Sequence, residues 1–400
     1  MFKFIHTSDW HLGQNFYGYD RSEEQRDFLQ QLADIVRKHT PDALLVSGDI
    51  FHVAAPSNAA VNLYVEGLLA IHKACPTMAI VVIAGNHDSA SRLDSDKRLW
   101  ELAGVTVLGG IARHEDGRAD LDRHLITVGD KGIVAAVPFA YPANFPRTGD
   151  EAIESDQRER AYFHALLNKA DAISHGQLPV VLMAHLAVRG SDGTGHDRDM
   201  DRESIDLTAL GEGYDYAALG HIHRPQQLSD KVRYCGTPIP VSFDEQCEHS
   251  VSIVEIDAHN TVPRIETKRI KNLKPLHTIP AGEPVDVDKA LSLLQAINPN
   301  EPAYIRLHVK VDRFLPNGTQ EKAVQSVRDK RCRFCEIKKT ATVSDHLHHT
   351  TQLTIEQLSK MLPLDVANQY CIDQTGQPMT TAEQALFNQV YDELEKEMRQ

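Results

Sequence analysis

Five short apolar segments of the sequence each end at residues that bind divalent cations in proteins. Their carboxylate, amide and imidazole groups together suit manganese, whereas a structural zinc site would favour cysteines. A pair of such cations about 3.5–4 Å apart can activate water and stabilise the entering and leaving oxygens of a phosphoryl displacement. The pattern therefore indicates a two-metal hydrolytic centre. Its candidate ligands are Asp9, His11, Asp49, Asn86, His185, His221 and His223.

Asp49 is the candidate bridge between the two cations. Two cations held this close need an anion between them, and an aspartate side chain is short enough to provide it. Asp9 and His11 lie two positions apart, where a strand would run into a loop, so both can converge on one cation. Two carboxylates and one hydroxide leave part of the cations' charge uncompensated, and this residual charge would attract a phosphodiester.

The remaining candidate ligands are neutral. His221 and His223 also lie two positions apart and can reach different cations, while Asn86 and His185 would complete the second site. Each residue taken alone also fits a structural role, since most buried histidines are hydrogen-bonded core residues and an aspartate after glycine is common in turns. Five such coincidences at the ends of apolar segments are much harder to explain by structure alone.

Two further histidines are candidates for catalysis on the substrate itself. His87 follows a candidate ligand and could stabilise the phosphate oxygens or protonate the leaving alkoxide. His52, three positions after Asp49, could approach the same phosphate from the other side. Asp88 would either orient His87 or cap the turn.

The apolar segments are typical of buried strands that carry the candidates at their carboxyl ends. They span residues 2–8, 43–48, 79–85, 180–184 and 216–220. Helical spacing is found over residues 21–38, 57–73, 93–103 and 158–172. Hairpins follow His223, so we expect a layered α/β fold with a mixed sheet covered by helices. In covered sheets, functional groups gather beyond the carboxyl ends of the strands.

The chain is too long for one compact core, so we expect several domains. We predict a ligand-bearing domain over residues 1–272, a small α/β cap of ferredoxin-like type over 273–345 and a C-terminal helical segment over 346–400. Thr380 and Glu383 fit a capping box at the start of the last helix.

Composition argues against several classes of protein. No stretch approaches the roughly 18 apolar residues of a membrane span, and the amino terminus lacks the pattern of a secretion signal. Six cysteines argue for a reducing cytoplasm rather than a disulfide framework. A net charge of −14 argues against a uniformly basic DNA-coating protein, but a nucleic-acid enzyme stays compatible because bound cations neutralise local carboxylates.

The ligand motifs resemble the signature of the calcineurin-like metallophosphoesterase superfamily. The matching residues are Asp9-Trp10-His11, Gly48-Asp49, Gly85-Asn86-His87-Asp88, His185 and Gly220-His221-Ile222-His223. Segments 7–13, 48–52, 219–224 and 236–245 are also similar to the SbcD family of bacterial nuclease subunits. The resemblance covers about residues 1–276 and implies a sandwich of two sheets flanked by helices, while the cap and C-terminal helices fit it in layout only.

The SbcD resemblance implies a DNA nuclease that uses two Mn²⁺ ions, with Mg²⁺ as a substitute. The family acts as an exonuclease on double-stranded ends and as an endonuclease on single strands and hairpins, in DNA repair, recombination and replication. One cation would be held by Asp9, His11, Asp49 and His223. The other would be held by Asp49, Asn86, His185 and His221. His87 would stabilise the transition state, with His52 as its helper.

The same resemblance implies an assembly. It implies a homodimer, no membrane association, and a cytoplasmic, nucleoid-associated location. The partner would be an SbcC-type ATPase with long coiled coils, docked by residues 346–400. Two alternatives stay open: another phosphodiesterase or phosphatase of the superfamily acting on a small phosphoester, and a non-catalytic scaffold that binds an ATPase. The complete ligand set weighs against the scaffold, and segment 238–245 favours the nuclease.

Overall fold

Aliphatic and β-branched segments form buried strands in a computed structural model of the chain, which describes residues 1–149, 157–195, 204–312, 314–341, 361–375 and 377–398. In chain order the strands are β1 (Phe2–Thr7), β2 (Asn15–Phe16), β3 (Tyr19–Asp20), β4 (Ala43–Ser47), β5 (Ala79–Ile83), β6 (Val105–Leu108), β7 (Leu125–Val128), β8 (Gly132–Val137), β9 (Val180–His185), β10 (Tyr216–Gly220), β11 (Gln226–Ser229), β12 (Val232–Tyr234), β13 (Ser250–Ile256), β14 (Arg264–Arg269), β15 (Leu276–Ile279), β16 (Tyr304–Val311) and β17 (Arg333–Ala341). The α-helices are α1 (Ser22–His39), α2 (Asn58–Ala74), α3 (Ala90–Ser95), α4 (Lys97–Leu102), α5 (Arg158–Ser174), α6 (Val287–Gln295), α7 (Thr319–Val327), α8 (Pro363–Thr375) and α9 (Thr381–Met398). All five strands predicted to carry ligands are present.

Two six-stranded sheets form the main body of the fold. Their strand orders are β14-β13-β1-β4-β5-β6 and β11-β12-β10-β9-β8-β7. In each sheet a parallel group of four strands is extended by antiparallel strands. The predicted sandwich of two sheets flanked by helices is confirmed, and both sheets, rather than one, are mixed.

Three apolar layers hold the sheets and helices together. Residues of both sheets, such as Phe4 and Val181, form one fully buried layer. Helices α1 and α2 pack on the first sheet through residues such as Phe28 and Leu68, and α5 packs on the second sheet through Phe163. Burying apolar surface is the main favourable term in folding. These layers therefore hold the strands, and with them the residues at the strand ends, in fixed positions.

The helices largely follow the predicted spacing, with one difference. Ser57 caps α2 as expected, since its side chain accepts a hydrogen bond from the backbone N–H of Ala60. The single helix predicted over 93–103 is instead two short helices, α3 and α4, which meet at Asp96. Aspartate favours helix ends over helix interiors because its side chain competes with the backbone, and Asp94 next to the break accepts a hydrogen bond from the backbone N–H of Gly109.

The residues predicted as the cap form a separate three-stranded sheet of order β15-β16-β17 with helices α6 and α7. Within the residues that the structure describes, the order β-α-β-α-β is one strand short of the ferredoxin-like arrangement. The boundaries 1–272, 273–345 and 346–400 stay predictions.

By its internal contacts the chain divides into two compact units, residues 1–309 with 315–339 and residues 310–314 with 340–400. In the second unit, Thr380 and Glu383 form the predicted capping box: the Thr380 N–H donates to the Glu383 carboxylate at 2.7 Å, and the Glu383 N–H donates to Thr380 Oγ1 at 3.3 Å. Among the helices of the described residues, none has the length and apolarity that a bilayer crossing requires.

His6 on β1 gives the fold a predictable acid sensitivity. It is fully buried, with Nδ1 3.1 Å from the Tyr216 hydroxyl, and burial together with the charge of Arg233 lowers its pKa from 6.5 to about 3. The unfolded chain therefore takes up a proton that the folded chain does not. The contribution of neutral His6 to the free energy of unfolding is complete above pH 6.5. It is lost as the pH falls toward 3, by up to about 1.4 kcal/mol for each pH unit.

Urea unfolding in a chelating buffer at several pH values measures this effect. We expect His6→Asn to reduce the acid slope of the free energy of unfolding, and His164→Asn, on the exposed face of α5, serves as the matched control. An unaltered slope in His6→Asn would contradict the assignment.

Candidate metal centre

The candidate ligands lie at the carboxyl ends of five strands that come from both sheets. They follow β1 (Asp9 and His11), β4 (Asp49), β5 (Asn86), β9 (His185, its last residue) and β10 (His221 and His223). Asn86 is half-buried, and each of the others is at most 7% exposed. The fold thus gathers at one edge all seven residues that the sequence suggested.

Local backbone geometry aims several of these side chains at one another. Asp9, His11, Asp49 and His221 have φ values of 53°, 45°, 51° and 99°, in the left-handed region that residues with a side chain rarely adopt. Backbone hydrogen bonds hold these turns: the Asp9 N–H donates to the Gly48 carbonyl at 2.9 Å, and the His11 N–H donates to the Asp49 carbonyl at 3.0 Å. Such strain persists only where the surrounding structure enforces it.

Glycine at position 85 lets the end of β5 approach the centre. A Cβ atom there would collide with the Asp49 carboxylate and with the Asp49 backbone nitrogen. Any larger residue would therefore displace the side chain that is the candidate bridge.

Three of the candidates converge on one side of Asp49. His11 Nε2 lies 3.2 Å from His223 Nε2 and 3.7 Å from Asp49 Oδ2. One ligand atom from each of Asp9, His11 and His223 lies within 4.8 Å of the others, which is the spacing expected around a single ion. Together with Asp49, this group matches one of the two predicted ligand sets.

The other candidates converge on the second oxygen of Asp49. His185 Nε2 lies 3.5 Å from Asp49 Oδ1 and 3.0 Å from Asn86 Oδ1. Asn86 Oδ1 is also 2.9 Å from His221 Nδ1. Asp49 therefore stands between two groups of ligands and presents one oxygen to each, as a bridging carboxylate would.

The donor set fits two divalent cations. Asp9 and Asp49 are buried carboxylates, and among the described residues no lysine or arginine forms an ion pair with either. Buried carboxylates without a compensating charge are strongly unfavourable. Cations held by these carboxylates and by the neutral histidines and Asn86 would supply that charge, with mixed oxygen and nitrogen ligation.

The pKa values reflect the burial and crowding of these groups. Burial raises the pKa of Asp9, and burial with the neighbouring His223 keeps the pKa of His11 well below its ordinary value. Burial also disfavours a charge on His223, but the hydrogen bond and charge of Glu245 outweigh it and raise its pKa to about 9. In the absence of a cation, His223 therefore holds a proton that metal binding would displace.

Some residues that orient the ligands were missed from the sequence. His185 Nδ1 donates to the Ser47 carbonyl at 2.8 Å, which leaves Nε2 for the cluster. His223 Nδ1 donates to Glu245 at 3.2 Å, and Thr237 Oγ1 donates to the other Glu245 oxygen at 2.7 Å. Such partners fix the tautomer and direction of a ligating histidine. The signal for Glu245 in the sequence is its place in segment 236–245, which resembles the SbcD family but does not indicate the histidine 22 positions away that it contacts.

His87 and His52 lie beside the cluster as a pair. His87 Nδ1 donates to the backbone carbonyl of His52 at 2.8 Å, and the two rings are nearly parallel with centroids 5.9 Å apart. His11, His52 and His87 each place a ring nitrogen within 4.8 Å of the others. All three line an open cleft of about 520 Å³ next to the ligands. Because Nδ1 is engaged by the His52 carbonyl, Nε2 is the nitrogen that His87 has left for the cleft.

Asp88 caps the turn and does not hydrogen-bond His87 in the described contacts. Its carboxylate accepts hydrogen bonds from the backbone N–H groups of Gly85, Ile50 and Phe51 at 2.8–3.0 Å. Burial and the nearby Asp49 raise its pKa to about 7. Asp88 therefore ties the turn after β5 to the loop after β4.

Comparison with known proteins agrees with this geometry. The profile of the calcineurin-like phosphoesterase family matches residues 2–225. Among curated proteins, the SbcD subunit of the nuclease SbcCD from Rhodobacter capsulatus is 36% identical over 278 residues, which cover 66% of this chain and 68% of the relative. The SbcD subunit from Escherichia coli K12 is 28% identical over 78% of this chain and 79% of its own length. The one from Bacillus subtilis is 30% identical over 64% and 66%.

Proposed function

This chain belongs to the calcineurin-like phosphoesterase family and, within it, to the SbcD nuclease subunits, and from this membership we propose that it cleaves DNA with two manganese ions as part of an ATP-regulated complex. It acts as an exonuclease on double-stranded ends and as an endonuclease on single strands and hairpins, in repair, recombination and replication. The observation that carries the proposal is the placement of Asp49 between two complete groups of ligands.

Each group would hold one cation. Asp9, His11, Asp49 and His223 would hold the first. Asp49, Asn86, His185 and His221 would hold the second. When bound, such a pair acts as a Lewis acid on the phosphodiester and lowers the pKa of water. Manganese suits the mixed ligands, and Mg²⁺ is the expected substitute.

The protein's own groups then position and protonate the substrate. The carbonyl of His52 fixes the His87 ring, so that Nε2 faces the cleft beside the ligands. From there His87 can donate a hydrogen bond to the phosphate and a proton to the leaving alkoxide. The His52 ring lies nearly parallel to the His87 ring, with 5.9 Å between the centroids, and would act as its helper.

The proposal extends to the assembly. The relatives are by name subunits of a complex called SbcCD. We infer that this chain likewise forms a homodimer that binds an SbcC-type ATPase with coiled coils through its C-terminal helices. Its place of action would be the cytoplasm, at the nucleoid, where its DNA substrate lies.

The proposal is tested with the purified full-length chain, manganese, and two end-labelled DNA substrates, a hairpin and a blunt duplex. We expect manganese-dependent cleavage of both, no cleavage with a chelator, and stimulation by the partner ATPase with ATP. Hydrolysis of bis-p-nitrophenyl phosphate with both DNAs intact would favour a small-phosphoester enzyme instead. Hydrolysis of neither would favour the scaffold.

A further inference from the structure

Arg306 on β16 is a buried cation that the proposed reaction does not use. It is 3% exposed, although arginine side chains are rarely buried without a specific partner. Its NH1 donates to Asp244 Oδ1 at 2.9 Å, and its guanidinium lies over the Phe243 ring with its carbon 5.0 Å from the centroid. Arg306 thus contacts Phe243 and Asp244, the two residues that directly precede Glu245.

Further contacts fix the direction of this guanidinium. Its Nε donates to Thr278 Oγ1 on the neighbouring strand at 3.1 Å, and its NH2 is 3.4 Å from the Phe243 carbonyl, which accepts. Glu336 lies 3.6 Å away. The Arg306 side chain is therefore held by contacts with the three-stranded sheet β15-β16-β17, called the small sheet below, and with the turn at residues 243–244. A surface ion pair would not fix the side chain in this way.

Glu245 connects this turn to the metal centre. One carboxylate oxygen accepts from His223 Nδ1 and the other accepts from Thr237 Oγ1. The Val241 N–H lies 3.3–3.4 Å from the same carboxylate. A shift of the turn would therefore rotate the His223 ring and move its Nε2 away from His11.

We propose that Arg306 is a positioning residue for the metal ligand His223, acting from the small sheet through Asp244 and Glu245. It touches neither the cations nor the substrate. Its effect is to keep the Glu245 carboxylate where it directs the His223 ring, so that losing it weakens one of the two metal sites and spares the other. The inference rests on the proposed function, because it concerns the same centre.

The test measures manganese binding to the full-length chain by titration followed with electron paramagnetic resonance. We expect Arg306→Met to weaken one of the two manganese sites by about 10–100-fold, the usual loss when a partner of a metal ligand is removed. Arg331→Met, an exposed arginine of the same part of the chain, should bind both ions like the wild type. Equal weakening of both sites, or of neither, would overturn the proposal.

A double-mutant cycle separates positioning from general destabilisation. Glu245→Gln should weaken the same site, and adding Arg306→Met to it should cause little further loss, because both act through one chain of contacts. Additive losses would contradict the proposal. If Arg306→Met does not fold, Asp244→Asn takes its place in the test, because the Asp244 side chain is 48% exposed. The same manganese site should weaken in this variant. Wild-type protein that binds no manganese pair would instead refute the proposed function itself.

Discussion

Replacing Asp49 with alanine is expected to abolish DNA cleavage and to remove manganese from both sites at once. Its two carboxylate oxygens face different groups of ligands, His11 Nε2 at 3.7 Å on one side and His185 Nε2 at 3.5 Å on the other. Without this anion the two cations would repel each other across a short gap with nothing between them. Metal content after gel filtration and the rate on hairpin DNA measure the two effects.

The substitution also removes a contact that orders the turn after β5, since the His87 N–H donates to Asp49 Oδ1 at 2.9 Å. A melting curve should therefore accompany the metal analysis, to show that the chain still folds. Asp122→Ala is a matched control, because that aspartate is exposed and pairs with Lys169 away from the centre. Near-normal manganese stoichiometry in Asp49→Ala would contradict the bridge.

Replacing His87 with alanine should slow cleavage without emptying the metal sites. The loss expected for a general acid is roughly 10²–10⁴-fold in kcat. Manganese stoichiometry and DNA affinity should stay close to the wild type, because His87 belongs to neither group of ligands. Single-turnover cleavage of a labelled hairpin, with a parallel metal titration, separates the two quantities.

His52→Ala is the informative companion to His87→Ala. The hydrogen bond that fixes His87 comes from the backbone carbonyl of His52, and that carbonyl survives the substitution. Only the stacked ring is lost, so the decrease in kcat should be smaller than for His87→Ala. An unchanged kcat in His87→Ala would remove this histidine from the mechanism, and a larger loss in His52→Ala would reverse the assigned roles.

The sequence could predict which residues meet, because the positions of ligands at strand ends follow from short-range patterns. Apolar segments mark the strands, and the carboxyl ends of parallel strands share an edge. This pattern predicts that Asp9, Asp49 and His185 share one edge of a sheet. In the structure His185 reaches the same centre from the second sheet, which depends on how the two sheets pack. The split of the 93–103 helix was missed because the helical spacing continues through Asp96, while its end depends on local hydrogen bonds.

The orienting contacts could not be predicted because they depend on three-dimensional packing between distant segments. Arg306 lies 62 positions from Asp244, and Glu245 lies 22 positions from His223. No periodicity connects such pairs. The Asp88 carboxylate is a similar case: the sequence left two roles open, and only the positions of three backbone N–H groups distinguish them.

The left-handed backbone at Asp9, His11, Asp49 and His221 has a consequence for engineering. Glycine would relax each of these positions, since it alone adopts such angles freely. A search for thermostable variants that favours unstrained backbone conformations would therefore select against the residues that the chemistry requires. This protein keeps its aspartates and histidines there at the expense of stability, so these four strained positions are also among its least replaceable ones.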